Sequence, residues 1–408
     1  MIIEQRIKDF EKLGFGVFVH FGVYSVLGKG EWARWTHRIP FDTYETYRKQ
    51  FAPKPTWAKE LVAAAKGAGA RYITLTTRHH DGFSLYDTCG LSDYDAPHTC
   101  GRDLVREFVD ACNEAGIIPF FYHTLLDWYQ PSYNEDFPAY LKYLRDSVEI
   151  LCTKYGRIGG LWFDGKWNKP NDDWEEDALY STIRKHQPDA MIINNTGLSA
   201  RGALGHIELD SVTFERGRPS PLNLADSPKY IASEMCQVFC DHWGYAAEDL
   251  NYKAPADMIR DLVQCRRYGS NLLMNVGPMG DGSVCFIDAA MLDLMGQWGK
   301  IYDGVLEALP CGVEVENKED DFILEKDGKY YLFVDHLPSV SDPNVALASD
   351  YDNYLDIFRL DKEVVSVRWL DDGTELEFTQ ENGVVSIHTI PFEYGRNLVV
   401  RVAEITVR

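Results

Sequence analysis

Two hydrophobic periods alternate along the chain. Short runs that are apolar at nearly every position, each ending in a polar tip, occupy residues 14–22, 70–77, 117–124, 158–164, 190–195 and 271–276. Such runs are too short for helices and read as strands buried on both faces, the pattern of a parallel sheet. Between them, apolar residues recur at helical spacing over 2–13, 57–69, 102–116, 138–155, 174–186, 255–268 and 287–302. The stretch 102–116 closes on Gly116, where a helix C-cap favours glycine. Residues 207–214 and 230–239 are less regular but strand-rich. About eight strands alternating with six or more helices over roughly 300 residues predict a (β/α)8-like barrel. A doubly wound open sheet is the alternative. It is disfavoured because polar residues gather at the end of nearly every strand, not at one switch point.

From Cys311 the period changes to two. Short alternating segments lie at 322–325, 329–334, 364–370, 375–378, 384–389 and 397–402, separated by Asp327-Gly328, Asp372-Gly373 and Asn382-Gly383. The expected organisation is a catalytic barrel over 1–310 followed by a small antiparallel β-sandwich over 311–408. A chain of 408 residues exceeds the size at which single cores stop growing, which also favours two domains. The appended sandwich carries no concentrated catalytic groups and is expected to be structural.

Composition narrows the partners. A formal charge of −22 repels phosphate backbones and anionic lipid, so neither nucleic acid nor a membrane is expected. The start has no apolar h-region, and no 18-residue apolar span occurs. Nine cysteines without a CxxC pair favour reduced thiols, and a cytoplasmic protein is expected.

The chain is organised around Gly160-Leu161-Trp162-Phe163-Asp164-Gly165, a buried strand ending in one carboxylate. Barrel enzymes keep their chemistry at such tips. The plainer alternative has Asp164 capping the next helix or pairing with Lys166. Three chemistries compete for the tips. Metal-assisted hydrolysis could draw on His20, His79, His80, Asp81 and Asp164, but adjacent strand residues point to opposite faces and no HxH spacing occurs. No metal and no cofactor are expected. Glycoside hydrolysis by a carboxylate pair needs aromatic faces and polar groups, which Trp32, Trp35, Trp128, Trp162 and Trp167 supply beside His20, Glu31, His79 and His80. A non-catalytic sugar-binding barrel would keep the aromatics and could lose a carboxylate.

Phe18-Val19-His20-Phe21-Gly22-Val23-Tyr24-Ser25, Glu31-Trp32, His79-His80-Asp81-Gly82-Phe83, Arg102-Asp103-Leu104-Val105, Leu125-Leu126-Asp127-Trp128, the Asp164 block and Asn271-Leu272-Leu273-Met274-Asn275-Val276-Gly277-Pro278 occur in that order. Together they closely resemble the α-L-fucosidases of glycoside hydrolase family 29, over most of residues 10–305. The resemblance implies a retaining exo-α-L-fucosidase with Asp164 as nucleophile, acting on fucosylated oligosaccharides or glycoconjugates. It implies a fucose pocket lined by His20, Glu31, Trp32, His79, His80 and Trp162, with Tyr122 or His123 where the family has a tyrosine pair. It also implies a homo-oligomer as a candidate assembly, since relatives commonly assemble. A non-catalytic fucose-binding barrel and a hydrolase of a related 6-deoxy or galacto-configured sugar are the alternatives.

A retaining mechanism needs a second carboxylic acid, whose pKa is raised toward neutrality. Glu215 and Glu234 are the candidates. Arg216 beside Glu215 should lower its pKa, and Glu234 precedes His242-Trp243-Gly244-Tyr245, which resembles a family segment, so Glu234 is the expected acid. Two departures stand out. Ser233 replaces the tryptophan usually found before that glutamate, and Asn194-Asn195-Thr196 stands where many members carry an arginine. The charged contact to the sugar or nucleophile is then either absent or supplied by Arg201, Arg216 or Arg218.

Overall fold

The computed structural model describes residues 1–196, 198, 200–225, 227–316, 320–338 and 353–408. The chain divides into two compact units, Met1–Lys253 with Asn271–Asp293, and Ala254–Ser270 with Leu294–Arg408.

The first unit holds a closed barrel of eight parallel strands in sequence order. They are β1 (Phe15–Val19), β2 (Tyr72–Arg78), β3 (Ile118–Thr124), β4 (Gly160–Asp164), β5 (Met191–Asn194), β6 (Ser211–Glu215), β7 (Ala232–Val238) and β8 (Asn271–Val276). β8 closes on β1 with Phe15 opposite Leu272 and Val19 opposite Val276. Apolar runs form here because both faces of a barrel strand are covered, so alternation is not required. The helix Leu104–Ala115 shows how one intervening segment is punctuated. Asp103 accepts from the Arg106 backbone N–H at its start, and Gly116 takes the left-handed conformation at its end.

Large side chains fill the barrel interior. Phe18, Tyr72, Phe120, Tyr122, Trp162, Met191, Ile193 and Leu273 form one cluster, with Ile7 and Phe10 of the N-terminal helix Gln5–Glu11 added to it. Gly16 is required for this packing: a Cβ there would sit 2.4 Å from the Tyr72 ring. That opening lets Tyr72 lie across the barrel and reach Glu234 on β7.

The second unit has two antiparallel sheets. Its strands are β9 (Leu309–Pro310), β10 (Glu314–Val315), β11 (Phe322–Lys326), β12 (Lys329–Val334), β13 (Asn353–Phe358), β14 (Val364–Trp369), β15 (Phe378–Glu381), β16 (Val384–Thr389) and β17 (Arg401–Val407). The sheets run β10-β13-β16-β15 and β14-β17-β12-β11-β9. Leu332, Val367 and Ile405 of one sheet and Leu355, Ile357, Val385 and Ile387 of the other share a core, which makes this a β-sandwich.

The sequence reading and the structure differ at strand edges and in a few short elements. The strand expected at 375–378 pairs with β16 only from Phe378 onward, while Glu375 bridges to Arg368 and the Leu376 N–H donates to the Val367 carbonyl. The strand expected at 397–402 runs from Arg401 to Val407. β13 was not anticipated. The loop after β1 carries the short helices Tyr24–Leu27 and Ala33–Thr36.

Candidate active site

The tips of β1 to β6, with Trp243 after β7, surround a pocket of about 90 Å3. Of the residues singled out from sequence, His20, Trp32, His79, His80, Tyr122, Trp162, Asp164 and Glu215 line it. Phe18, Trp167, Asn195, Cys236 and Trp243 complete most of the wall.

Asp164 ends β4 with both carboxylate oxygens occupied. Oδ1 accepts from Trp167 Nε1 at 3.2 Å and from Asn195 Nδ2 at 3.4 Å. Oδ2 accepts from the Tyr122 hydroxyl at 3.3 Å and faces His80 Nε2 at 3.5 Å. Burial pushes the carboxyl's pKa up, but His80, Trp167 and the Gly165 backbone N–H outweigh it and hold Asp164 below its ordinary value. It is built to be an anion. Lys166, the alternative partner, bonds Glu176 instead.

Glu215 ends β6 and behaves oppositely. Burial and then the charge of Asp164 raise its pKa, against smaller contributions from Asn195, Arg216 and Arg201. Its Oε2 accepts from Asn195 Nδ2 at 2.6 Å. One amide nitrogen therefore touches both carboxyls, and Asp164 Oδ1 and Glu215 Oε2 lie no further apart than those two bonds end to end. Thr213 donates to Asn195 Oδ1 at 2.8 Å, which fixes the amide with its N–H groups toward the carboxyls. Arg216 does lower the pKa of Glu215, as expected, but burial and Asp164 outweigh it. Arg216 takes a left-handed backbone, donates to the Asp241 carbonyl and lays its guanidinium over Trp243.

Glu234, the expected acid, does not line the pocket. It sits inside the barrel on β7, accepting from Trp162 Nε1 at 3.0 Å and from the Tyr72 hydroxyl. Burial raises its pKa to about 7, so the chemical expectation of a raised acid is met at a position that does not reach the pocket. Two other candidates are displaced as well. His123 alternates outward from β3, where it meets Tyr86 and the Thr124 carbonyl, while Tyr122 faces inward. Glu31 sits behind the wall and accepts from the backbone N–H groups of Trp243 and Gly244 at 3.1 and 2.7 Å, pinning the loop that presents Trp243.

Burial disfavours the charged form of His20 and His79. Burial lowers the pKa of His20 to about 3 although Asn275, 2.6 Å from its Nδ1, opposes this. His79 is likewise depressed by burial and by His80 and His20. Its buried Nδ1 has no partner among the described residues, an unpaired group of the kind that a ligand hydroxyl satisfies. Trp162 stacks on Tyr122 at 5.7 Å, and Tyr122 on His79 at 5.6 Å. Asn195, not an arginine, supplies the polar contact to Asp164. Sequence reading had marked that position only as a departure.

Paired carboxyls of opposite proton affinity, in an aromatic-walled pocket at the strand tips of a (β/α)8 barrel, define a glycoside hydrolase. The model of the alpha-L-fucosidase family matches residues 4–304. Tissue alpha-L-fucosidase of Rattus norvegicus is 28% identical over 366 residues, covering 81% of this chain and 76% of that protein. Alpha-L-fucosidase isoenzyme 1 from Paenibacillus thiaminolyticus superposes with a TM-score of 0.82 at 29% identity, over 99% of each chain. A trapped covalent intermediate of an alpha-L-fucosidase from Bacteroides thetaiotaomicron shares the fold with a TM-score of 0.83 at 22% identity, over 99% of this chain and 96% of that one. The chain belongs to the alpha-L-fucosidase family.

Proposed function

We propose that this hydrolase removes terminal α-L-fucose with retention of configuration, Asp164 acting as nucleophile and Glu215 as acid/base. The observation that carries the assignment is the Asn195 amide joining Asp164, whose pKa is lowered, to Glu215, whose pKa is raised. Retaining glycosidases keep their carboxyls about 5–5.5 Å apart, so that one attacks the anomeric carbon directly, whereas inverting enzymes leave a gap of ~6.5–9.5 Å for water. The shared amide accords with the shorter spacing.

In the first step an Asp164 oxygen attacks the anomeric carbon while the bond to the leaving oxygen breaks. Glu215 gives its proton to that oxygen. In the second step the Glu215 carboxylate takes a proton from water, the water oxygen attacks the anomeric carbon, and Asp164 is released. Two inversions give retention. Fucose is a 6-deoxy sugar, so its methyl group suits the Phe18, Trp162 and Trp243 wall, and its three free hydroxyls suit His20, His79 and His80. A pocket this small accords with exo attack on the terminal residue of fucosylated glycans. Nine free cysteines support a reducing, cytoplasmic setting.

Leaving-group dependence tests the roles. Glu215→Ala should cripple cleavage of fucosylated oligosaccharides far more than that of aryl fucosides with an activated phenol. Azide should then yield fucosyl azide of retained configuration. If that pattern arises at Glu234→Ala and not at Glu215→Ala, the assignment of the acid is wrong.

A further inference from the structure

Four tryptophans run outward from the pocket in a continuous series. Trp167 and Trp32, both pocket-lining, stack at 5.8 Å and 28°. Trp32 meets the Trp128 ring edge-on at 5.1 Å, and Trp128 stacks on Trp35 at 5.6 Å and 21°. Trp128 is tied to the site by its backbone N–H, which donates to the His80 carbonyl at 2.8 Å. Trp35 lies on the short helix Ala33–Thr36, closed by the Thr36 N–H to Trp32 carbonyl bond. It is 57% exposed. One face of its indole packs on Trp128, and more than half of the residue stays open to solvent. The catalytic chemistry uses neither Trp35 nor Trp128.

We propose that Trp35, seated on Trp128, is an aglycone subsite that stacks on the apolar C–H face of a hexopyranose in the glycan bearing the fucose. The substrate class is then a fucosylated oligosaccharide with a galactose- or glucose-type ring beyond the scissile bond. This rests on the fucosidase reading above. The physical case has three parts. A pyranose has one face of axial C–H groups that pairs with an aromatic face, and aromatic stacking adds to the area buried. The Trp35 ring is fixed in advance by Trp128, so little side-chain freedom remains to be lost on binding. The series begins at rings that wall the fucose site, so the platform lies where a leaving sugar would emerge. A simple packing role for Trp35 would need hydrophobic cover over Trp128 but no flat outer face.

The test compares leaving groups with and without a ring, in the full-length protein. The substrates are α-L-fucosyl fluoride and a fucosyllactose. The variants are Trp35→Leu, which keeps cover over Trp128, and Trp35→Phe, which keeps a ring face. Trp35→Leu should lower kcat/KM on fucosyllactose by about five- to tenfold, mainly through KM, as expected for a stacking contact. It should leave fucosyl fluoride within about twofold, and Trp35→Phe should recover most of the loss. Equal losses on both substrates, or no loss on either, would overturn the proposal. So would a selective loss at Leu204→Trp with none at Trp35→Leu, since Leu204 lines a separate groove of about 450 Å3 that adjoins the pocket at Trp167 and Asn195. A wild type that hydrolyses neither substrate would instead refute the fucosidase reading itself.

Discussion

Replacing Glu234 with glutamine should make the protein's stability less sensitive to pH. The carboxyl is fully buried, with its two oxygens taken by Trp162 Nε1 and the Tyr72 hydroxyl. Burial lifts its pKa from 4.5 to about 7. The folded protein therefore holds this proton more tightly than the unfolded chain does. The stabilisation is fully present below about pH 4.5 and is lost as pH rises through about 7. Over that window the difference corresponds to about 3 kcal/mol. Glutamine is isosteric and stays neutral, and its amide can still meet both partners. Urea unfolding at pH 5 and pH 8 should show wild type losing about 2.5 kcal/mol more than Glu234→Gln does between the two values. Other buried carboxyls, such as Asp81 and Asp288, titrate in both proteins and cancel in the comparison. Parallel pH profiles for the two proteins would refute the claim that this carboxyl titrates inside the barrel.

Other outcomes follow from the same geometry. Asp164→Gly should lower hydrolysis of an aryl α-L-fucoside by several orders of magnitude, with azide partly restoring turnover; retained activity would remove Asp164 from the mechanism. Exhaustive chelation should leave the rate unchanged, and a loss reversed by zinc or manganese would reopen the metal reading. Asp210, buried among Arg6, Arg184 and Lys229, should be costly to neutralise. Asp210→Asn should lose about 3–5 kcal/mol in chemical denaturation at pH 7, because three cations keep their burial and lose their counter-charge.

The barrel was legible because its signal is local: apolar runs read as doubly covered strands wherever they fall, and the structure pairs them in that order. Asp164 was legible because nothing else at the end of its strand carries charge. The raised proton affinity of Glu215 was not, because burial and then Asp164, 51 positions away, outweigh the adjacent Arg216. A residue one position along a chain can face anywhere once the backbone turns left-handed, as it does at Arg216. His123 could have been excluded by alternation, since a strand that sends Tyr122 inward sends its neighbour outward. Glu31 could not, because its partners are backbone amides of a loop more than two hundred residues on. Asn195 was visible only as the residue before a missing arginine, and its bridging role depends on the aim that Thr213 gives its amide.

The proximity of the two pocket carboxyls, bridged by the Asn195 amide, also makes the proposed catalytic cycle self-timing. Part of what raises the proton affinity of Glu215 is the negative charge of Asp164. Once Asp164 is esterified to the sugar that charge is gone, and Glu215 becomes a stronger acid at the moment its proton is needed elsewhere. Freed of it, Glu215 is an anion poised to activate water. Release of the sugar restores the charge on Asp164 and draws a proton back. The alternation between donor and acceptor is thus driven by the bond being made and broken, with no separate switch.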